Sequence, residues 1–499
     1  MIDTTTWPKR PIIYEINTWV WLAALSKAGV APVTLGTVPK MVWDDLAALG
    51  VDAVWFMGVW KRSPAGIAVA QKNQGLPDDF RRALPDFTPA DNVGSPYCVR
   101  SYGVDPHLGG PEGLAAARQE LATRGLRLIL DFVPNHVAPD HPWVQEHPDY
   151  FLPGSEDEFR QSPAAFIRTA SGIFACGKDP YLPAWPDVLQ LNAFSTGLRT
   201  AVGETVSAIA AQCDGVRCDM AMLVMNDVFE KTWGNRVGSR PTGDYWPELM
   251  ATVRTAHPGF LFMAEAYWGL EWQLQQQGFD FCYDKTLYDR LVHDSAESVR
   301  LYLCADPAYQ ERLVRFIENH DEPRAAATFA PDKERAVAVA VTTLPGAMML
   351  HEGQLEGRTV RLPVFLGRRP VEIPAPELRT FYLNLLAAID REELRRDAWR
   401  LCDRYGWPDN QSYLNLVAWC WTGETRRHLI VVNLSDHESQ ARTHLPWDDL
   451  RGRIWRLTDV LTGATWDRSG NELAGPGLYV ALKPWEVNFF RVEPWKKIT

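Results

Sequence analysis

The chain has 499 residues and a net charge of −11, with 46% hydrophobic and 23% charged residues. That profile fits a globular protein with two or three domains. It carries no basic run, which argues against nucleic acid or anionic membrane as a partner, and no apolar stretch near the ~18 residues a membrane helix needs. The first ten residues show no signal pattern. The eight cysteines are scattered without a CxxC pair, so neither a zinc site nor a disulfide framework is expected. A reduced, cytoplasmic protein is the expectation. Twenty-one tryptophans are many for this length. Most are expected in the core; the remainder suit a protein that stacks aromatic faces on sugar rings.

Taken in chain order, short apolar runs alternate with amphipathic segments. Strands are expected near Pro11–Asn17, Val51–Met57, Arg127–Val133, Gly215–Asp219, Phe260–Glu265, Phe279–Tyr283, Leu313–Glu318 and Ala347–His351. Helical patterns lie between them at Val42–Leu49, Pro111–Arg124, Leu198–Gln212, Tyr245–Thr255, Ser295–Leu303 and Pro331–Thr343. Near-continuous apolar strands alternating with helices imply a parallel sheet covered on both faces. Eight such units fit an α/β fold of the (β/α)₈ TIM-barrel type. An open doubly wound sheet is the alternative, but the Gly-rich phosphate loop it should carry early is missing. The link from the third to the fourth strand is far longer than its neighbours and rich in Pro, Trp, Tyr and Asp. It is expected to form a small irregular subdomain over the pocket mouth. The link after the second strand, Val59–His107, is also long. Beyond Glu392 the runs become alternating or β-branched, at His428–Asn433, Arg453–Leu457, Gly477–Leu482 and Val487–Val492. They read as a C-terminal antiparallel β-sandwich. The expected division is a barrel over 1–136 and 193–392, an insertion over 137–192 and the sandwich over 393–499.

The chemistry gathers where strands end. The third strand closes on Asp131-Phe132-Val133-Pro134-Asn135-His136, and the fourth on Arg217-Cys218-Asp219. Residues i and i+2 of a strand share a face, so Arg217 and Asp219 point together. A neighbouring arginine favours the ionised carboxylate that a nucleophile needs; a structural salt bridge is the plainer reading of the pair alone. The fifth strand ends at Glu265 between Ala264 and Ala266, an apolar setting that raises a carboxyl pKa as a proton donor requires. The seventh is followed by Asn319-His320-Asp321 and then Arg324. A neutral His320 would donate to a sugar hydroxyl, and Asp321 would bind two hydroxyls. By itself such a triplet also suits a helix cap.

Four motifs in this order, each at a strand C-terminus, resemble the alpha-amylase family of retaining glycosidases and transglycosidases (glycoside hydrolase family 13), and the likeness runs over essentially the whole chain. The resemblance implies Asp219 as nucleophile, Glu265 as acid/base and Asp321 as transition-state stabiliser. Tyr97 resembles the tyrosine that stacks on the sugar at the cleavage point. Trp185-Pro186-Asp187 resembles the insertion's short motif, and Gly353-Gln354 resembles a loop after the eighth strand. Asp131, His136, Arg217, His320 and Arg324 join the implied substrate contacts. The implied reaction is double displacement with retained configuration, the two carboxyl groups lying about 5–5.5 Å apart. The expected substrate is an α-glucan, most simply an α-1,4-linked oligosaccharide. Hydrolysis is the first reading and glucosyl transfer through the same intermediate the alternative. A catalytically silent sugar-binding relative is the third reading, disfavoured because all three acids are kept.

The chain also departs from the family pattern. Met222 and Leu223 stand where the family often has Lys-His to read the leaving sugar, so those two side chains are expected there instead. Pro96-Tyr97-Cys98 replaces Gly-Tyr-Asp. No cofactor is expected to be required. Asn135 and Asp187 are the candidate calcium ligands, with calcium the less favoured outcome because the second motif is altered and the insertion is short.

Overall fold

The computed structural model describes residues 6–29, 31–72 and 75–497. Eight parallel strands close into a barrel in sequential order around the ring. They are β1 (Ile12–Asn17), β2 (Ala53–Met57), β3 (Arg127–Phe132), β4 (Gly215–Cys218), β5 (Leu261–Ala264), β6 (Phe281–Tyr283), β7 (Leu313–Arg315) and β8 (Ala347–His351). All eight lie where the apolar runs place them. The reason is burial on both faces: every residue of β2, β3, β4 and β5 is buried, so no polar alternation is tolerated. The six expected helices also form, at Lys40–Ala48, Gly110–Thr123, Thr196–Ala210, Tyr245–Ala256, Ala296–Leu303 and Pro331–Thr343.

Register sets the site. In the β3–β4 pair Arg217 lies opposite Asp131, and in the β4–β5 pair Cys218 lies opposite Ala264. The ladder continues past both strand ends. Asp219 N–H donates to Phe132 O at 2.8 Å and Glu265 N–H to Cys218 O at 3.0 Å, which sets Asp219 and Glu265 side by side at the barrel's C-terminal rim.

The link after β3 differs from expectation. It is an ordered four-stranded antiparallel sheet made of His136–Val137, Phe166–Thr169, Gly172–Gly177 and Trp185–Gln190. Its strands are short and broken by Pro and Gly, so no two-residue periodicity stands out. The link after β2 holds an antiparallel pair, Trp60–Arg62 with Val99–Val104, and between them the helices Pro64–Lys72 and Leu76–Ala83.

Past helix Pro376–Arg391 come a six-stranded and a three-stranded antiparallel sheet with a core of their own, including Leu429, Trp455, Leu457 and Val480. The larger sheet is pinned to the barrel at one carbonyl. Thr343 O, at the end of helix Pro331–Thr343, accepts from Trp419 Nε1 at 3.0 Å and Trp421 Nε1 at 2.8 Å. A helix end leaves such carbonyls without an internal partner, so two buried indoles satisfy it while docking the sheet. Among the described residues no helix is long and apolar enough to cross a membrane.

Candidate active site

A cavity of about 340 Å³ opens at the C-terminal rim, lined among others by Tyr97, His136, Trp185, Asp219, Glu265 and Asp321. Four barrel loops and the insertion sheet therefore meet there, on the face where barrel sites are built. Arg217 is wholly buried beneath it. Its Nη1 donates to Asp219 Oδ1 at 2.7 Å, and its Nη2 lies 2.8 Å from Glu265 Oε2. The guanidinium is boxed by the rings of Tyr97, Trp55 and Tyr283 at 5.0–5.6 Å, so it is held as a fixed charge between two acids.

The acids differ in environment. Burial raises Glu265 to about 7; Arg217 opposes this while Asp219 and Asp321 add to it. Its Oε2 accepts from Met220 N–H at 2.6 Å and its Oε1 from Tyr267 OH at 2.9 Å. Burial also lifts Asp219 above the usual carboxylate range, with Arg217 pulling the other way. The arginine thus limits the rise without reversing it. Asp321 goes the opposite way. Burial would raise it, but the neighbouring His320 charge brings it down to about 2.

His320 departs from the neutral donor expected. Burial disfavours its charge, yet Asp321 and Glu15 together raise it to about 10. Its Nδ1 lies 2.5 Å from Glu15 Oε1, its Nε2 3.0 Å from Asp321 Oδ2 and 2.7 Å from Tyr97 OH. It is therefore an imidazolium between two carboxylates. His136 is the neutral one, because burial lowers it to about 4.

The structure brings Tyr97, His136, Asp219, Glu265 and Asp321 onto one cavity, with Arg217 and His320 directly behind. Four expected contacts lie elsewhere. Asp131 is fully buried, accepting from Trp55 Nε1 at 3.1 Å and Gly58 N–H at 2.6 Å; it braces the barrel rim. Arg324 bonds to Glu318 and to Glu352 O and lies outside the cavity lining. Met222 and Leu223 are core residues, 0% and 2% exposed. The reason is local. Met220 adopts a left-handed backbone, φ 40°, which turns residues 221–224 down into the core and leaves Met220 itself lining the cavity.

Sequence reasoning missed Glu15, Tyr267 and Met220. Glu15 lies in an apolar run like the other three acids, and Tyr267 follows Glu265 by two residues, so both signals were present. Met220 gave none, since its part depends on a backbone conformation. An exposed aromatic pair was missed too. Tyr181 from the insertion and Trp268, next in sequence to the cavity-lining Tyr267, meet edge to face at 4.9 Å, 62% and 41% exposed.

The candidate calcium ligands separate. Asp187 lines the cavity. Asn135 is paired with Gln190, which donates to Asn135 Oδ1 at 2.9 Å and accepts from its Nδ2 at 3.2 Å. Calcium wants six to eight oxygens, and Asn135 Oδ1 already accepts one N–H from Gln190. Among the described residues no group of three His, Cys, Asp or Glu side chains is placed to hold a metal ion.

A barrel whose rim gathers three acids, one arginine and aromatic walls has the layout of a glycoside-cleaving site. Comparison with known proteins points the same way. Residues 41–180 match the family model for the alpha-amylase catalytic domain. The alpha-amylase MalA of Haloarcula japonica is 24% identical over 440 residues, covering 86% of this chain and 56% of that protein. An alpha-1,4-glucan:maltose-1-phosphate maltosyltransferase of Cereibacter sphaeroides is 37% identical over 189 residues, 36% of this chain and 24% of that protein. The chain thus spans about half the length of the amylase and less of the transferase. Among solved structures, the maltogenic alpha-amylase AmyB of Thermotoga neapolitana superposes with a TM-score of 0.70 at 17% identity, over 97% of this chain and 98% of that one. An alpha-amylase of Geobacillus thermoleovorans gives 0.66 at 16% identity, over 98% and 99%. Together these findings support the alpha-amylase family as that of this chain.

Proposed function

We propose that the protein is a retaining α-glucan-active enzyme, with Asp219 as nucleophile, Glu265 as acid/base and Asp321 as stabiliser of the charged sugar. The shared guanidinium is the observation that carries this reading. One arginine touching both carboxyls holds them close together on one cavity wall, as double displacement requires. Asp219 attacks the anomeric carbon while Glu265 gives its proton to the departing oxygen, and the glycosidic C–O bond breaks. Glu265, now a carboxylate, then takes a proton from water or an acceptor hydroxyl, whose oxygen displaces Asp219. A group titrating near 7 suits both halves. Ionised Asp321 faces the same cavity, where positive charge develops on the sugar. Tyr97, held by His320, offers its face to the ring.

A groove of about 580 Å³ adjoins the cavity through Asp321 and is lined by His320, Asp79, Arg82 and Arg361 among others. It supports a substrate of more than one sugar unit, and the α-1,4-glucan in the names of the maltosyltransferase relatives favours α-1,4 linkages. Hydrolysis is the first assignment. Transfer is favoured by a separate feature, the Tyr181–Trp268 pair, which gives an acceptor sugar a surface to stack on; maltosyltransferases among the relatives agree with it. A cytoplasmic setting fits the eight free cysteines. Product analysis on maltose to maltoheptaose, with and without added acceptor, tests the assignment. Release of reducing sugar that is lost in Asp219→Ala supports it, and binding of these sugars without turnover by the unaltered protein would sink it.

A further inference from the structure

At the opposite end of the barrel, a cavity of about 670 Å³ lies between the strand N-termini and the C-terminal sheets. It is larger than the catalytic cavity, and its lining has six cationic side chains against three acidic ones, Asp52, Asp390 and Glu393. In a chain of net charge −11, that local excess needs a reason.

The plain reading is a network of ion pairs joining the two parts of the molecule. It reaches all six cations, but it engages the guanidinium on several sides in only two of them. Arg10 is buried, and its guanidinium bonds to Glu311 and to the carbonyls of Arg395 and Asp397. Arg395 donates to Arg10 O and Asp52. Lys9, Arg391, Arg396 and Arg426 are 66%, 61%, 78% and 41% exposed, and each pairs through one nitrogen only, with Glu311 at 3.4 Å, Glu392 at 3.3 Å, and Glu393 at 3.0 and 3.6 Å. Each arginine makes a single side-chain hydrogen bond through one nitrogen: Arg391 Nε to Glu392, Arg396 Nη1 to Glu393 and Arg426 Nη1 to Arg391 O. Their other guanidinium N–H groups have no partner among the described residues. Exposed ion pairs of this kind stabilise a fold little. A cleft with excess charge of one sign concentrates counter-ions, and unengaged guanidinium edges match phosphate oxygens in geometry and charge.

We infer that this cleft at the foot of the barrel binds a phosphorylated small molecule, whose phosphate sits among Arg391, Arg396 and Arg426. The volume lies in the range of small-ligand sites. Neither the catalytic acids nor the rim cavity take part, so the inference stands or falls apart from the proposed activity.

Titration calorimetry and thermal unfolding of the full chain at 150 mM salt test it, with inorganic pyrophosphate, glucose 1-phosphate and glucose as separate probes. Saturable binding of a phosphorylated probe, with a rise in Tm and no response to glucose, is expected. Pyrophosphate alone would identify the phosphate cluster as sufficient, and glucose 1-phosphate alone would identify a sugar phosphate. Arg396→Ala with Arg426→Ala should weaken binding at least tenfold while leaving maltooligosaccharide turnover unchanged in the absence of phosphate. Two results overturn the inference: no binding of either phosphorylated probe, which includes attraction seen only at low salt, or equal binding by the unaltered and doubly substituted proteins.

Discussion

Tyr267→Phe should move the alkaline limb of activity upward. The phenol donates to Glu265 Oε1 at 2.9 Å, a bond that favours the carboxylate over the acid. Removing it withdraws about 1 kcal/mol of differential stabilisation. At 1.36 kcal/mol per pKa unit, that raises the Glu265 pKa by about 0.7 unit. The starting value is about 7. Glu265 must be protonated to release the leaving group, so kcat/KM falls as pH rises through its pKa. In the variant that fall should begin about 0.7 unit higher. The assay is kcat/KM against pH from 4 to 10 on a chromogenic maltooligosaccharide, with Tm recorded at each pH to exclude unfolding. An alkaline limb that stays in place or moves down would refute the reasoning, because either Glu265 would not be the titrating acid or Tyr267 would not act on its charged form.

Asp219→Ala should lower kcat by ~10⁴-fold or more while the circular dichroism spectrum stays unchanged, since Arg217 keeps Glu265 as a partner. Because Asp219 sits above the ordinary aspartate range, the acid limb of the unaltered enzyme should also lie above that of a free aspartate; a limb at or below about pH 3.9 would contradict it. Glu15→Gln removes one of the two carboxylates that keep His320 charged, so NMR titration should show the His320 pKa falling from about 10. Trp268→Ala should lower the ratio of transfer to hydrolysis several-fold with little change in hydrolysis, read by chromatography of products with added maltose. Gly353→Ala should destabilise by ~1–3 kcal/mol in denaturant titration. Its φ is 94° and an added Cβ would meet Arg358 and Arg324.

Much of this site could be read from the chain because buried parallel strands have a simple signature. Eight apolar runs stand out in the sequence, and acids at the ends of three of them mark the rim. Elsewhere the physical signal is weaker. Leu416–Thr422 is buried nearly throughout, so it lacks the alternation that announces an antiparallel strand. Ser439–Thr443 alternates in burial, but its residues are Ser, Gln, Ala, Arg and Thr, so hydrophobicity gives no pattern. The charge state of His320 depends on Glu15, some 300 residues away in sequence, and no local pattern reports it. Met222 and Leu223 were misplaced for a similar reason. One left-handed residue decides which side chains of that turn face the cavity.

The most direct test of the central claim is to trap the intermediate. A 2-deoxy-2-fluoro maltosyl fluoride, or its 5-fluoro counterpart, should slow release of the glycosyl group enough for intact mass and peptide mapping. The account predicts a stable mass increment on the peptide carrying Asp219, lost in Asp219→Ala. An increment on the Glu265 peptide, or no increment alongside initial products of inverted configuration, would contradict it.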